Sequence, residues 1–336
     1  MTGTWWILFN AFILLVLALD LGVFHRHAHV VKTKEALTWT GVWVTLALTF
    51  NLFIYLGWVG GYPPAARGEA ALTFLTGYLV EQSLSIDNVF VIALLFKYFR
   101  IPAMYQHRVL FWGILGALVM RGLMIVAGVQ LIQNFHWIIY IFGGILIYSA
   151  VKMWRSAEAE VDVEHNPLLK LVRKFFPVSP TLEGQHFFTR LPSGVLAATP
   201  LFVVLVFVEW TDLVFAVDSI PAILAITPDP FIVYTSNVMA ILGLRSMYFA
   251  LSGILHKFHL LHYGLSIILG FVGTKMVLAD VIKVETWISL VVIATVLTGS
   301  ILASLKWPKK HTEPEAQEKA LDALESGEKK VPIIES

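Results

Sequence analysis

The sequence predicts an all-α, polytopic membrane protein of about nine transmembrane helices, with helices three to five and six to eight forming inverted repeats. Three observations predict it. Of 336 residues, 57% are hydrophobic and only 14% charged, and mean hydropathy is +0.75, whereas a soluble domain carries about 25% charged residues to cover its surface. Apolar stretches of roughly 20 residues, long enough to cross a hydrocarbon core of about 30 Å, recur along the whole chain. Acidic residues inside two of those stretches recur at matched spacing.

The apolar runs fall at 4–24, 38–60, 70–96, 103–127, 132–153, 195–224, 231–253, 259–280 and 286–305. They divide the chain into two N-terminal helices (1–66), a first repeat (67–154), a loop (155–193), a second repeat (194–282), a final helix (283–306) and a charged tail (307–336). The first run has no basic residue before it, lacks a small-residue cleavage site and holds Asp20, so it reads as a retained helix, not a signal peptide. Sixteen lysines and arginines fall in the loops of one side, against two, Arg67 and Lys283, on the other. By the positive-inside rule the N-terminus is outside and the C-terminus cytoplasmic, as expected of a multi-pass protein of the inner membrane.

Loop 155–193 starts acidic, with Glu158, Glu160, Asp162 and Glu164, and continues as the stretch Asn166–Phe176 with Lys170, Arg173 and Lys174 interleaved among apolar residues. That pattern is expected to lie on lipid headgroups. The tail is too charged to pack, apart from a short helix expected near 315–325. Net charge is +1, so no basic field recruits nucleic acid. There is no cysteine, hence no disulfide, thiolate metal site or thiol nucleophile. Without HExxH, GxSxG or a P-loop the chain does not read as an enzyme.

The repeat is visible in detail. Glu81-Gln-Ser-Leu-Ser-Ile-Asp87-Asn88 returns as Asp212-Leu-Val-Phe-Ala-Val-Asp218-Ser219, an acid and an aspartate six apart followed by a small polar side chain. Arg121 returns as Arg245. Phe135, His136, Tyr140, Lys152 and Met153 return as Phe258, His259, Tyr263, Lys275 and Met276, all at an offset of 123. A unit of three spans must enter the membrane in opposite directions in its two copies, the plan of secondary transporters that bind substrate at mid-membrane.

Acids within the spans are Asp20, Glu81, Asp87, Glu209, Asp212 and Asp218; the clear bases are Arg121 and Arg245. Lys152 and Lys275 sit near span ends and snorkel. A charge at mid-membrane costs about 2.5–3.5 kcal/mol on insertion scales, so folding alone does not call for such an acidic surplus. Arginine pairing can absorb some of these acids but not all; protons or a cation must balance the rest. Glu81 and Asp212 fall near mid-span, and Glu209 shares a face with Asp212. Positions six apart differ by about 120° of rotation, so Glu81 and Asp87 meet only if the helix unwinds between them. Ser85, Asn88, Ser219 and Pro221 suit such a break. Carboxylate, amide, hydroxyl and carbonyl oxygens favour Mg²⁺, Ca²⁺ or Mn²⁺, and Asn88 and Ser219 join the five acids of the two repeats as candidate ligands. Histidines 25, 27, 29, 256, 259 and 262 flank spans on the cytoplasmic side, where headgroup contact accounts for them.

At Glu81–Phe90 and at Glu209-Trp-Thr-Asp212 through Asp218-Ser219-Ile-Pro221-Ala222 the chain resembles the TerC family, in its Alx-type branch. Phe74-Leu-Thr-Gly77-Tyr78, His186-Phe-Phe-Thr189, Asp229-Pro-Phe-Ile-Val and Thr235-Ser-Asn237 extend the match over residues 5–305. The resemblance implies a membrane protein linked to tellurite resistance by name and to Mn²⁺ homeostasis by function. It implies metal-site acids at Glu81, Asp87, Glu209, Asp212 and Asp218, and in some members assistance to metal loading of secreted proteins. The expected function is Mn²⁺ export by alternating access, coupled to protons, with Arg121 and Arg245 balancing charge when the site is empty. The metal is cargo, with Mg²⁺ or Ca²⁺ as other occupants, and no resident cofactor is expected. The alternatives are a Ca²⁺/H⁺ exchanger, or a membrane adaptor with metalation or secretion partners.

Overall fold

In lipid every backbone polar group must be satisfied within the protein, and runs this apolar do so as helices. A computed structural model describes residues 3–19, 33–135, 137–155, 194–251, 260–281 and 284–307, with part of 170–191. Asp20, the histidines 25, 27, 29, 136, 256 and 259, the acidic start of the loop, and the tail from 308 lie outside the described residues. The helices are α1 (Gly3–Leu19), α2 (Thr33–Leu56), α3 (Arg67–Tyr98), α4 (Ala103–Asn134), α5 (Ile138–Arg155), α6 (Pro200–Leu224), α7 (Pro230–Leu242), α8 (Leu244–Leu251), α9 (Leu261–Val277) and α10 (Thr286–Lys306). Among the described residues six are long and apolar enough to cross a membrane: α2, α3 with the turn before it, α4, α5, α6 and α10; α1 and α9 are shorter apolar helices.

Three sequence expectations change here. The span expected at 231–253 is two helices, because at Gly243 the chain tightens: its N–H turns to Ala240 O at 3.2 Å and a new helix starts at Leu244. The unwinding expected between Glu81 and Asp87 does not occur, and α3 runs unbroken through both. The Asn88 amide, which would have to engage the backbone to open the helix, instead donates to Asp212 across the helix interface at 3.1 Å. Pro221 likewise sits inside α6, three residues before its end. A two-stranded hairpin, β1 (Phe188–Arg190) in the loop against β2 (Leu196–Ala198) at the start of the run expected at 195–224, was not foretold by hydropathy. The rings of Phe176, Phe188 and Phe202 pack beneath it at 4.6–5.9 Å. Of the stretch expected on headgroups, Val172 is buried with Leu201 and Val109, while Phe175 stays exposed.

The helices that matter for the site are α3, α4, α6 and α7. α3 packs on α6 and α7, and α4 packs on the same two. Around them α2 lies on α3 and α8, and α10 closes on α3 and α9. α5 and α9 form the most extensive helix pair. Their backbones come together at two glycines: a Cβ on Gly273 would stand 2.9 Å from the Gly143 carbonyl oxygen and 3.0 Å from Leu146 Cβ. Gly273→Leu is therefore expected to cost about 1–3 kcal/mol by overpacking, read as a lower melting temperature of the purified protein. Gly144→Leu, on the open side of α5, is expected to leave it near the wild-type value.

Candidate functional site

Four helices deliver six polar side chains to one point inside the bundle. Glu81 and Asn88 come from α3, Arg121 from α4, Asp212 and Ser219 from α6, and Asn237 from α7, and none is more than 5% exposed. On each helix these residues sit at positions the 3.6-residue turn brings to one face: 81 and 88 on α3, 212 and 219 on α6. Arg121 is the hub. Its Nε and Nη2 donate to the two oxygens of Asp212 at 3.1 and 2.8 Å, the two-pronged geometry that suits a guanidinium. Its Nη1 donates to Glu81 Oε1, and also faces Ser219 Oγ and Asn237 Oδ1, both at 3.2 Å. Asn237 closes the ring by donating from Nδ2 to Glu81 Oε2 at 2.9 Å.

The two copies of the repeated motif cross over. Asn88 of the first motif hydrogen-bonds Asp212 of the second, and Ser219 of the second shares Arg121 Nη1 with Glu81 of the first. One guanidinium faces two carboxylates, so the cluster carries a net charge of −1 whenever both are ionised. In so dry a setting that imbalance is far more costly than in water.

The five candidate acids occupy different places. Glu81 and Asp212 meet at Arg121. Glu209 lies one turn from Asp212 on the same face of α6, over Gly116 of α4, where any Cβ would overlap its carboxylate. Its Oε2 is buried with no hydrogen-bond partner. Asp87, turned off the cluster by the unbroken α3, faces His262 of α9, whose ring stacks on Tyr263 at 4.6 Å and whose Nε2 is buried without a partner. Asp218 accepts a 2.6 Å hydrogen bond from Ser149 of α5 and lies near Lys152. Asp87 and Asp218 thus each lie against the third helix of the other repeat, and Glu209 against its second. Arg245 is buried at the start of α8. Among the described residues no group of three or more histidines and acids stands ready to hold a metal; between Glu81 and Asp212 the position is filled by Arg121. Asn237 entered the sequence reading only as part of a family block and not as a candidate site residue. The signal was the run Thr235-Ser236-Asn237, three polar residues in an apolar span.

Comparison with known proteins gives this architecture a family. Residues 66–313 match the integral membrane protein TerC family. The chain belongs to that family. It is 53% identical over 300 residues to the membrane protein STKORF319 of Myxococcus xanthus, covering 89% of this chain and 91% of that one. It is 47% identical over 295 residues to an Escherichia coli protein provisionally named membrane-bound redox modulator Alx, covering 88% and 92%. The Alx protein of Salmonella typhi is equally close, 47% over 297 residues, covering 88% and 91%. No solved structure matches. All six residues of the cluster lie inside the matched region.

Breaking a buried ion pair by removing one partner costs about 3–5 kcal/mol, mostly the desolvation of the charge left behind. Arg121→Met is expected to destabilise the purified protein by that much in thermal or denaturant unfolding. Adding Glu81→Gln and Asp212→Asn to the same chain is expected to restore most of the loss, because neutral partners need no counter-charge.

Proposed function

We propose that this TerC protein exports divalent metal cations, Mn²⁺ foremost, in exchange for protons, and that Arg121 is the internal cation that holds the empty site closed. The observation that carries the reading is the set of groups around the guanidinium. Two carboxylates, a hydroxyl and an amide oxygen converge on one buried positive charge, and these are the hard oxygen donors that suit Mn²⁺, Mg²⁺ or Ca²⁺. A divalent ion in that place would balance Glu81 and Asp212 fully, where Arg121 leaves one charge over. The unpartnered oxygens Glu209 Oε2 and Asn88 Oδ1, next to the cluster on α6 and α3, are further donors for an arriving ion.

The packing supports alternating access by inverted repeats. Exchanging α3–α5 with α6, the broken pair α7–α8, and α9 turns the α3–α7 contact into the α6–α4 contact, and both are among the most extensive in the bundle. The α3–α6 and α5–α9 contacts map onto themselves. With the ligands shared across that interface, rocking one repeat against the other opens the site to one side at a time. Energetics require a coupled ion. Moving two positive charges outward against about 100 mV costs roughly 4.6 kcal/mol. Two protons returning per metal make the cycle electroneutral, and Asp87 and Asp218, on opposite flanks of the cluster, are the carboxylates placed to carry them or to hand the metal on. The chain has no cysteine, so any redox modulation of the kind named in its relatives would act through the metal supplied, not through thiol–disulfide exchange.

Reconstituted in proteoliposomes, the protein is expected to move Mn²⁺, followed by a metal-quenched dye, with protons moving the opposite way. Asp212→Asn is expected to abolish that flux, and Asp87→Asn and Asp218→Asn to reduce it. Normal flux in both of the latter removes those two residues from the pathway. Transport of Ca²⁺ in preference to Mn²⁺ makes the protein a calcium exchanger, and no flux of either ion leaves the adaptor role.

A further inference from the structure

At the end of the bundle that the loop charges place outside, the first turns of α1 and α7, the last turn of α4 and the turn after α6 line an open cavity of about 390 Å³. This volume falls in the range of about 300–1,000 Å³ in which proteins hold small organic ligands. Its walls are Trp6, Gln133, Phe231 and the turn Thr227–Pro230. Among the described residues the wall carries one ionisable group, the Asp229 carboxylate, and no base.

Both functional features of the wall are held in place from behind. Asp229 caps α7, accepting the Phe231 N–H at 2.9 Å on Oδ1, while its Oδ2 accepts the Tyr62 hydroxyl at 2.8 Å. Burial first, and the Asp229 charge second, push the Tyr62 phenol well above its usual pKa, so it remains a donor. Asp229's own N–H donates to Thr227 Oγ1 at 3.1 Å. The Trp6 indole meets Phe231 edge-on at 5.5 Å and Tyr234 at 5.3 Å, and Tyr234 is pinned by donating to Asn10 Oδ1 at 2.7 Å.

We propose that this cavity binds an organic cation of the alkylammonium class. A carboxylate supplies the charge, and an indole and two prolines supply the apolar walls that alkylated nitrogen needs. A metal ion gains nothing from rings and prolines in exchange for its water shell, and the Asp229 oxygens already accept hydrogen bonds. The cavity is separate from the arginine cluster. Asp229 is eight residues from Asn237 along α7, about 12 Å of helix rise, and the buried side chains of Ile125, Val129, Ile220 and Val233 form an apolar cluster on the helices α4, α6 and α7 that build both.

The test is calorimetric titration of the purified full-length protein with tetramethylammonium chloride against a sodium chloride blank of equal ionic strength. One saturable site is expected. Asp229→Asn keeps the helix cap, since asparagine caps as well as aspartate, but removes the charge, and is expected to weaken binding at least about tenfold. Trp6→Leu is expected to weaken it several-fold, by about the worth of a cation–ring contact. Should the leucine variant fail to fold, the asparagine variant decides alone. No saturation above the blank, undiminished affinity in Asp229→Asn, or displacement of the probe by equimolar MnCl₂ would each overturn the proposal.

Discussion

A single guanidinium shared between two carboxylates in the dry centre of the bundle is the constraint on which the rest of this structure hangs. Arg121, Glu81 and Asp212 come from three different helices, so none of the three charges is tolerable until α3, α4 and α6 have assembled. Apolar burial cannot set that register in a membrane, because lipid tails are as apolar as the helix faces. The polar cluster can. It selects, among the many ways of packing greasy helices, the one in which three charges and three neutral polar groups all find partners.

The same cluster explains why small residues occupy the facing positions on α4. Gly116 makes room for the Glu209 carboxylate, and Gly113 meets Val208 at what would be 3.1 Å from a Cβ, so α4 and α6 approach closely enough for Arg121 to reach Asp212 with two prongs. Packing and chemistry are thus linked through side-chain size. With both carboxylates ionised the cluster carries one negative charge that Arg121 does not balance, and an unpartnered carboxylate oxygen, Glu209 Oε2, lies one turn away.

Much of this was legible in the sequence, for a physical reason: charges are so costly in apolar spans that each announces itself. Glu81, Arg121 and Asp212 stood out on that ground, and the repeated motif pointed to their meeting. What stayed hidden were groups whose burial costs little or whose direction depends on neighbours. Asn237 is neutral and passes in an apolar span without notice, yet it bridges Arg121 and Glu81. The rotation that separates Glu81 from Asp87 follows from helix geometry, but that Asp87 would face His262, and Asp218 face Ser149, depends on which helices lie alongside. The break at Gly243 is silent in hydropathy because residues on both sides are equally apolar. The hairpin at 188–198 is too short to carry a period.

The central claim is that Arg121 and a divalent cation compete for one set of oxygens. The most direct measurement is the melting temperature of Arg121→Met, purified in detergent, as a function of added MnCl₂ with KCl as the control salt. If the cation takes the place of the guanidinium, Mn²⁺ raises the melting temperature of this variant in a saturable manner toward the wild-type value, and KCl does not. If Mn²⁺ leaves the variant as unstable as KCl does, Arg121 is a structural counter-charge only and the cluster is not a cation site.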